Sequence, residues 1–332
     1  MSKVVKFYEF GSPEVLKVET EPLRAPQTGE VQIKVETLGL NRAEVMYRTN
    51  VYTEQAQFPS RIGYEAAGVI NALGAGVSGL QVGDRVSTIP GFSLNQYGVA
   101  AEMAIVPALH VAKYPDQLSS AEGAAIWMQY LTAYGCLIEF GKLKRGNVVA
   151  ITAASSSVGI AAIQMVNDAG GTSVAITRKA DKRDRLIEAG AQHVIVTEAE
   201  NMAARVNDIT HGKGADIVFD PVSGAYLEQL ADIVATEGLI VEYGWLDTSA
   251  PPVFPVVPAI VKGFSVRGFH LSFHIVAHPE RLKAGIAYIN QRLQAGRFRP
   301  LIAEQQFTLD RIVDAYRYME SNEQLGKIIV TV

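Results

Sequence analysis

The segment Val148–Gly170 constrains the fold more than any other stretch of the sequence. It begins with an apolar run, Val148–Ile151, continues through a cluster of very small residues, and ends in an apolar segment with helical spacing. Strand, tight turn and helix in this order are typical of a βαβ unit whose helix N-terminus receives a phosphate. Only Gly159 stands where the usual three-glycine turn requires a glycine. The motif alone therefore indicates either a dinucleotide site or an ordinary strand-to-helix turn.

The composition excludes several classes of protein. The chain has 332 residues, of which 48% are hydrophobic and 19% charged, as in a globular protein with a large core. The formal net charge is −4 without a basic cluster, so nucleic-acid binding has no electrostatic support. We expect neither a transmembrane helix nor a signal peptide. The single cysteine, Cys136, excludes an intramolecular disulfide and fits a cytoplasmic location.

Two regions of different pattern divide the chain. The first 120 or so residues read as β-strands separated by Gly- and Pro-containing turns. Helix-forming residues then run from Ser119 to Phe140, and strands alternate with helices from Val148 to Gly268. Within this part we predict a helix over residues 199–210 and an irregular connection around residues 251–258. The fold class is therefore α/β, with a Rossmann doubly wound parallel sheet, residues 124–269, inserted into a β-rich domain of residues 1–123 and 270–332.

Seven short motifs carry a resemblance to a known family. They are Gly39 to Glu44, Gly63 to Val69, Val82 to Val86, Gln129 to Tyr134, Ser156 to Gly159, Gly190-Ala191 and Gly326 to Ile328. In this order the chain resembles the medium-chain dehydrogenase/reductase superfamily over essentially its whole length. The most similar branch is that of the zinc-independent, zeta-crystallin-like quinone oxidoreductases. The resemblance implies a GroES-like catalytic domain and a nicotinamide dinucleotide on the Rossmann domain.

The metal ligands of the zinc-dependent relatives are replaced in this chain. Those enzymes carry a cysteine near the position of Asn41 and a histidine at that of Tyr64, and a catalytic zinc needs three protein ligands. We therefore expect no catalytic metal. A separate set, His270, His274 and His278, would share one face of a helix. Its role stays open between a metal site and, as we favour, pocket lining or a surface helix.

The end of the second Rossmann strand bears on the choice between NADPH and NADH. Folds that prefer NADH place an acid there to bind the ribose 2′-hydroxyl. Here Thr177 takes that place, and Arg178 and Lys182 follow it. A 2′-phosphate requires hydroxyl and cationic donors, so we predict NADPH as the cofactor. The alternative is that Lys179 and Lys182 are ordinary solvated charges at a helix start.

Further cofactor contacts are implied by position in the family. Serines of the turn would donate to the pyrophosphate or simply allow close approach, and residues after the fourth and fifth strands would hold the nicotinamide half. The predicted cofactor-binding residues are Asn41, Gln129, Thr132, Ser155, Ser156, Ser157, Val158, Gly159, Thr177, Arg178, Lys182, Val222, Tyr243, Gly244 and Lys327.

Hydride transfer needs no protein nucleophile, but it needs donors aimed at the oxygen on which negative charge develops. The predicted catalytic residues are Asn41, Tyr47, Arg48, Tyr52 and Tyr64. Tyr52 matches a tyrosine that related enoyl reductases use as a proton donor. Tyr47 and Tyr64 depart from the family pattern, and either phenol could serve packing alone.

We therefore expect an NADPH-dependent, zinc-independent reductase of quinones or α,β-unsaturated carbonyl compounds. One alternative is an enoyl-thioester or aldehyde/ketone reductase of the same fold, and another is a non-catalytic nucleotide-binding protein with a structural or RNA-binding role. The expected partner is a small carbonyl or quinone substrate, with neither nucleic acid nor membrane. The resemblance also implies a homodimer formed through the edge of the Rossmann sheet, near Ser265–Gly268.

Overall fold

The computed structural model describes the whole sequence, Met1–Val332, as two compact units. The first unit comprises Met1–Met128 and Arg299–Val332, and the second comprises Gln129–Phe298. The first unit is therefore built from two segments that are far apart in sequence. No helix combines the length and the apolar character that a membrane crossing requires.

The first unit is rich in antiparallel strands. Its strands are β1 (Ser2–Phe7), β2 (Lys17–Glu21), β3 (Glu30–Gly39), β4 (Ser60–Arg61), β5 (Glu65–Leu73), β6 (Arg85–Thr88), β7 (Met103–Pro107), β8 (Val111–Lys113), β15 (Phe307–Thr308) and β16 (Ile329–Thr331). One sheet has the order β2–β1–β4, and the other has the order β15–β16–β3–β5–β6–β8, with β7 paired to β3. Its helices are α1 (Arg42–Arg48), α2 (Leu94–Tyr97), α3 (Ser120–Gly123) and α11 (Ile312–Ser321).

Side-chain alternation along β3 explains the core of the first unit. Val31, Ile33 and Val35 are buried, whereas Lys34 and Glu36 between and beyond them are exposed, which is the two-residue period of a strand. Apolar residues of β1, β5 and α11 pack into the same core. Because β3 pairs with both β5 and β16, it joins the N-terminal segment to the C-terminal one.

The second unit is a doubly wound parallel sheet. Its strands are β9 (Val148–Ile151), β10 (Thr172–Thr177), β11 (His193–Val196), β12 (Ala215–Asp220), β13 (Val234–Glu242) and β14 (Ser265–Gly268). They lie in the order β11–β10–β9–β12–β13–β14, and every neighbouring pair is parallel. The predicted fold class is thus confirmed.

Helices cover both faces of this parallel sheet, as its buried, apolar strands require. The helices of the second unit are α4 (Trp127–Ala133), which begins at the unit boundary, α5 (Ser157–Asp168), α6 (Arg183–Glu188), α7 (Met202–Thr210), α8 (Tyr226–Ile233), α9 (Val256–Lys262) and α10 (Pro279–Gln294). Short π-helical segments, Tyr134–Phe140 and Ser272–Val276, follow α4 and precede α10.

Two predicted helix boundaries differ from the structure. The helical run predicted from Ser119 to Phe140 is divided into α3, α4 and the π-helical segment. The helix predicted over residues 199–210 is α7, and it begins later than predicted, at Met202. The reason is the Asn201 side chain, which accepts a hydrogen bond from the Ala204 N–H at 2.8 Å and so caps the helix at that point.

The Pro-rich connection around residues 251–258 is not irregular throughout, because it leads into α9. Pro258 lies in the first turn of this helix, where a missing N–H removes no helical hydrogen bond. Most side chains of α9 are exposed although they are apolar: Val257 is 70% exposed and Ile260 is 76% exposed.

The second unit extends further along the chain than the sequence indicated. The segment predicted to return to the β-rich domain began at residue 270, yet α10 packs within the second unit, which ends at Phe298. A Cβ added to Gly285 of α10 would lie 2.8 Å from Leu131. Arg292 of the same helix binds the Asp168 carboxylate at 2.5 Å. These contacts hold α10 against α4 and the end of α5.

Candidate functional site

The turn between β9 and α5 has the geometry of a phosphate loop. Ala153 adopts a φ of +43°, in the left-handed region that glycine usually occupies. The Ser156 side chain accepts a hydrogen bond from the Gly159 N–H at 3.0 Å and caps α5. A Cβ on Gly159 would lie 2.5 Å from the Ala154 carbonyl oxygen, so this close approach of helix and turn needs glycine. The N-terminus of α5 therefore fits the phosphates of a dinucleotide.

Hydroxyl and cationic groups lie beside this turn. Thr177 ends β10 and is 9% exposed, while Arg178 directly after it is exposed. The Lys182 ammonium lies 3.2 Å from Ser155 Oγ, which brings a positive charge to the serine-rich turn. Ser157 and Val158 form the partly buried first residues of α5. The end of β10 thus presents donors and no carboxylate.

The ends of β12 and β13 carry the other predicted cofactor contacts of the second unit. Val222 is partly buried, and a Cβ on Gly244 would lie 2.9 Å from the Pro221 carbonyl oxygen. The Tyr243 ring stacks on Phe219, with 4.2 Å between ring centroids. Its hydroxyl is buried, and burial raises the pKa of the phenol well above the usual range.

Two predicted cofactor residues lie on α4, where both are buried. Thr132 is 6% exposed and Gln129 is 1% exposed. The Gln129 Oε1 atom has no hydrogen-bond partner. A buried acceptor without a partner costs about 1–3 kcal/mol, so a ligand that donates a hydrogen bond to this oxygen would recover that free energy.

Sequence reasoning missed two acids at the carboxyl ends of β12 and β13, which we call the acid pair. Asp220 and Glu242 are in register on the neighbouring strands. Asp220 accepts hydrogen bonds from the Ser223 N–H, at 2.6 Å, and from the Thr152 hydroxyl. Burial and then the neighbouring Asp220 raise the pKa of Glu242 to about 9. The acid pair therefore holds a proton at neutral pH.

Five polar side chains of the first unit form one hydrogen-bonded group, which we call the buried cluster: Asn41, Glu44, Glu65, Tyr316 and Lys327. The Lys327 ammonium donates to the Glu65 carboxylate and to Asn41 Oδ1, the latter at 2.6 Å. The Asn41 amide donates in turn to Glu65 at 3.2 Å. Lys327 and Glu65 are each 1% exposed, so they form a fully buried ion pair.

Glu44 connects the other members of the buried cluster. It accepts hydrogen bonds from the Asn41 N–H at 3.0 Å, from the Tyr64 N–H at 2.8 Å and from the Tyr316 hydroxyl at 2.8 Å. The Asn41 amide adds a fourth donor at 3.3 Å. Burial raises the pKa of the Glu44 carboxyl, and these donors act in the opposite direction because they stabilise the carboxylate. Glu44 thereby fixes the start of α1 to the backbone at Tyr64.

Asn41 and Lys327 are thus brought together, but their polar atoms are used within the first unit. Asn41 was predicted to contact both cofactor and substrate, and Lys327 to contact the cofactor. The structure gives them partners in the buried cluster, with the Asn41 side chain held at both its oxygen and its nitrogen, and the contacts with cofactor and substrate stay predictions. The spacing Asn41-x-x-Glu44 is a capping box and was the available sequence signal for part of this cluster.

Tyr52 and Tyr64, which we call the tyrosine pair, lie together in the first unit. Their ring centroids are 6.3 Å apart, with 58° between the ring planes. Tyr64 is 4% exposed and packs on Phe92, whereas Tyr52 is only partly buried. Burial raises the pKa of both phenols, so both are neutral hydroxyl groups at neutral pH.

The side chains of Tyr47 and Arg48 are held by other partners. The Tyr47 hydroxyl is 2.6 Å from Ser60 Oγ, and Tyr47 is completely buried. The Arg48 guanidinium donates to the Gly11 carbonyl oxygen at 3.0 Å and to Glu320 at 2.6 Å. These contacts engage the Tyr47 hydroxyl and two nitrogens of Arg48, whereas Arg48 Nη1 is buried without a hydrogen-bond partner. The catalytic roles of both residues stay predictions.

The three histidines after β14 do not form a common ligand set. The backbone N–H of His270 donates a hydrogen bond to His274 Nδ1 at 2.8 Å, so this ring nitrogen of His274 already has a partner. The His270 ring stacks on Phe273, and His278 precedes α10 in an exposed position. No group of three or more His, Cys, Asp or Glu side chains in the protein is arranged to hold a metal ion.

Comparison with known proteins identifies the family. The model of the alcohol dehydrogenase GroES-like domain matches residues 27–116, and that of the zinc-binding dehydrogenases matches residues 157–289. The chain belongs to the medium-chain dehydrogenase/reductase superfamily. Within this superfamily it falls in the zinc-independent quinone oxidoreductase branch, which confirms the family predicted from the sequence motifs.

Three known proteins illustrate the similarity. The Danio rerio synaptic vesicle membrane protein VAT-1 homolog is 30% identical over 322 residues, which cover 92% of this chain and 65% of that protein. Escherichia coli quinone oxidoreductase, solved in complex with NADPH, is 26% identical with a TM-score of 0.91, covering 99% of this chain and 100% of that one. The CurK enoyl reductase is 25% identical with a TM-score of 0.86, covering 99% of each chain.

Proposed function

We propose that the protein is an NADPH-dependent reductase that transfers a hydride to a quinone or an α,β-unsaturated carbonyl compound without a catalytic metal. The observation that carries the proposal is the phosphate loop at α5 together with the donors beside it. Thr177, Arg178 and Lys182 supply a hydroxyl and two positive charges where an NADH-specific fold would carry an acid. The Escherichia coli relative that was solved with NADPH supports this choice of cofactor.

The second unit supplies the residues that would bind the dinucleotide. Ser155, Ser156, Ser157, Val158 and Gly159 would surround the pyrophosphate at the N-terminus of α5. When the dinucleotide is bound, its nicotinamide ring would supply the hydride with its electron pair. Gln129 and Thr132 on α4, with Val222, Tyr243 and Gly244 at the strand ends, would orient the nicotinamide half; the available Gln129 oxygen supports this role.

The first unit supplies the residues that would act on the acceptor. A neutral phenol is a suitable donor to a carbonyl oxygen or to the carbon of an enolate. The tyrosine pair offers this group at Tyr52, the more exposed member. Asn41 and Lys327 would act indirectly, because their contacts hold the start of α1 in place.

We further propose a cytoplasmic homodimer. β14 is the last strand of its sheet, so its outer edge has no neighbouring strand. The adjoining helix α9 exposes Val256, Val257, Ile260 and Val261, which are 55%, 70%, 76% and 77% exposed. Pairing of two β14 edges across a two-fold axis would cover both features. Ile260→Glu should shift a sedimentation profile from dimer to monomer, whereas a monomeric wild-type protein would refute the dimer.

A single set of assays tests the enzymatic proposal. Purified protein, treated with a chelator, is mixed with NADPH or NADH and with 1,4-quinones, enones, enoyl thioesters and aldehydes. We expect oxidation of NADPH with quinones or enones and no loss of activity on chelation. Lack of oxidation with every acceptor would refute an enzymatic function and leave a nucleotide-binding role. Preference for enoyl thioesters would favour the alternative that the likeness to CurK enoyl reductase raises.

The choice of NADPH has its own test. Arg178→Asp places a carboxylate where the 2′-phosphate is expected, so KM for NADPH should rise about 10- to 100-fold while that for NADH changes little. Glu198→Gln, another charge change on the loop after a neighbouring strand, serves as a control. Equal KM values for NADPH in Arg178→Asp and the wild type would contradict the assignment.

A further inference from the structure

We propose that Asn95 is a positioning residue, which holds the loop that carries Tyr52 in place and thereby sets the affinity of the protein for the acceptor. The inference rests on the proposed function, which assigns Tyr52 to the acceptor, and deepens it by naming what positions this side chain. The loop comprises residues 50–59, and we call it the Tyr52 loop. It follows α1 and precedes β4.

The Tyr52 loop has no regular secondary structure of its own. Between Arg48, the last residue of α1, and Ser60, the first residue of β4, no residue belongs to a helix or a strand. Near its end, the Phe58 ring packs on Phe7 and Phe10, with 5.7 and 4.8 Å between centroids. A segment without a helix or a strand depends on its side-chain contacts for a fixed position.

Glu54 connects the middle of the Tyr52 loop to the start of α2. Its carboxylate accepts hydrogen bonds from the Ser93 hydroxyl, from the Leu94 N–H at 3.0 Å and from the Asn95 amide at 3.1 Å. Leu94 is completely buried in the core of the first unit. The loop is therefore attached to a part of α2 that the core holds in place.

The Asn95 side chain uses its whole hydrogen-bonding capacity in these contacts. A carboxamide has two donor hydrogens and an oxygen that accepts twice. The Asn95 amide donates to Glu54 and, at 3.0 Å, to the Gln55 carbonyl oxygen. Its oxygen accepts from the Gln57 N–H and from the Tyr47 hydroxyl, both at 2.7 Å. One side chain thus holds three residues of the Tyr52 loop.

The contact with Tyr47 connects the same side chain to α1. An amide oxygen cannot donate, so Tyr47 gives its single proton to Asn95. The Ser60 hydroxyl then supplies the proton for the 2.6 Å contact between Ser60 and Tyr47. Because Tyr47 is completely buried, the Asn95 oxygen is fixed from inside the unit. The Tyr52 loop is therefore held at both α1 and α2.

Tyr52 lies between two of the points at which this loop is held. Before it, the Val51 N–H donates to the Met46 carbonyl oxygen at 2.9 Å, and two residues after it Glu54 is bonded to α2. The Tyr52 ring lies beside Tyr64 in this arrangement. A loop that is already ordered raises affinity, because no ordering is needed on binding. Loosening the loop should weaken binding of the acceptor and leave that of the dinucleotide, on the second unit, unchanged.

An exchange of amide and carboxylate tests the inference. Asn95→Asp removes the amide donor and sets a second carboxylate beside Glu54. KM for a quinone or enone should then rise about tenfold, while KM for NADPH stays unchanged. Unchanged KM for the acceptor, or an equal rise in KM for NADPH, would overturn the proposal.

The double variant Asn95→Asp/Glu54→Gln restores the contact with the two groups reversed. The introduced amide can donate to the introduced carboxylate, and its oxygen can still accept from the Leu94 N–H. KM for the acceptor should return to within about threefold of the wild-type value. A double variant with a KM as high as that of Asn95→Asp would contradict the assigned contact.

Asn71→Asp is the matched control for the added charge. Asn71 lies on β5 of the same unit, and its amide donates to the Gln32 side chain at 2.7 Å. The substitution removes a donor and adds a carboxylate far from the Tyr52 loop in sequence, so both KM values should stay at the wild-type level. A rise in KM for the acceptor equal to that of Asn95→Asp would mean that charge, and not the position of the loop, is responsible.

Hydrogen exchange separates failure of this inference from failure of the proposed function. Mass spectrometry follows exchange of the backbone amides of residues 50–59 in the protein without cofactor or acceptor. Asn95→Asp should accelerate this exchange about tenfold, and the double variant should restore it. Unchanged exchange in Asn95→Asp would overturn the inference even in an active enzyme. A wild-type protein that reduces no acceptor would instead refute the proposed function, while the exchange still decides whether Asn95 holds the loop.

Discussion

The buried cluster of the first unit and the acid pair of the second each bury two carboxyl groups, but they balance the charge differently. In the buried cluster, Glu65 is paired with the Lys327 ammonium and Glu44 receives four hydrogen bonds. In the acid pair, Asp220 receives hydrogen bonds, and the pKa of Glu242 is raised instead. The buried cluster balances the charge of Glu65 with a cation, whereas the acid pair keeps one carboxyl group protonated.

The difference shows that burial alone does not decide the charge state of an acid. Taking a carboxylate out of water is costly, and a protein offsets that cost with a counter-ion, with hydrogen-bond donors or by leaving the group protonated. The first two solutions are insensitive to pH near neutrality. The third makes stability depend on pH, so the two regions should respond differently to mutation and to alkali.

The largest expected effect comes from removing the cation of the buried cluster. Lys327→Met leaves the Glu65 carboxylate buried without its partner, so the free energy of unfolding should fall by about 3–5 kcal/mol. Urea denaturation measures this change. The double variant Lys327→Met/Glu65→Gln removes both charges and should recover part of the loss. Equal stability of Lys327→Met and the wild type would mean that the ion pair contributes nothing.

A smaller effect is expected at Glu44. In Glu44→Gln the amide N–H group faces at least one of the donors from which the carboxylate now accepts a hydrogen bond. This clash should lower the free energy of unfolding by about 2–3 kcal/mol. Tyr316→Phe removes only one of the four donors and should cost about 1 kcal/mol. A Tyr316→Phe variant less stable than Glu44→Gln would contradict the central position of the carboxylate.

The acid pair should reveal itself through pH. The pKa of Glu242 in the folded protein is about 9, above the ordinary value of 4.5. Between these two pH values the folded state therefore binds more protons than the unfolded state. Stability from this group is complete below about pH 4.5 and is lost as pH rises through about 9, with a slope of up to about 1.4 kcal/mol per pH unit. Glu242→Gln should flatten this dependence in urea titrations from pH 6 to 9. Parallel curves for the variant and the wild type would refute the retained proton.

The smallest effect on stability is expected for an ion pair that is exposed to solvent. Arg317 and Glu14 are 2.7 Å apart, but their side chains are 54% and 50% exposed. Solvent and salt screen such pairs. Arg317→Ala should therefore leave the thermal midpoint unchanged within error, in contrast to Lys327→Met. A clear loss of stability would show that burial is not what separates the two pairs.

Local patterns in the sequence were sufficient for much of the fold. The apolar runs of β9 to β14 and the helical spacing between them predicted the doubly wound sheet, because each strand and helix is specified by neighbouring residues. The serine-rich turn was found for the same reason. The helix α9 was missed because its prolines resemble a loop, and the contacts between α10 and α4 could not be predicted because the two helices are about 150 residues apart in the sequence.

The buried cluster was beyond sequence reasoning for a physical reason. Asn41, Glu65 and Lys327 come from distant parts of the chain, and only the pairing of β3 with β5 and β16 brings them together. The acid pair has the same origin, since Asp220 and Glu242 meet through strand register. A side chain's contacts depend on this register. The positions of Asn41 and Lys327 could therefore be predicted from the motifs, but their partners could not.

The location of Lys327 bears on how the protein is made. The Glu65 carboxylate leaves the ribosome long before Lys327 does, and the entire second unit is synthesised in the interval. The second unit is continuous in sequence and can fold while translation proceeds. The first unit has an incomplete sheet and an unneutralised acid until β16 arrives, so it should remain dependent on chaperones for longer than its neighbour. The first unit can therefore complete its sheet only after its last strand, β16, has been synthesised.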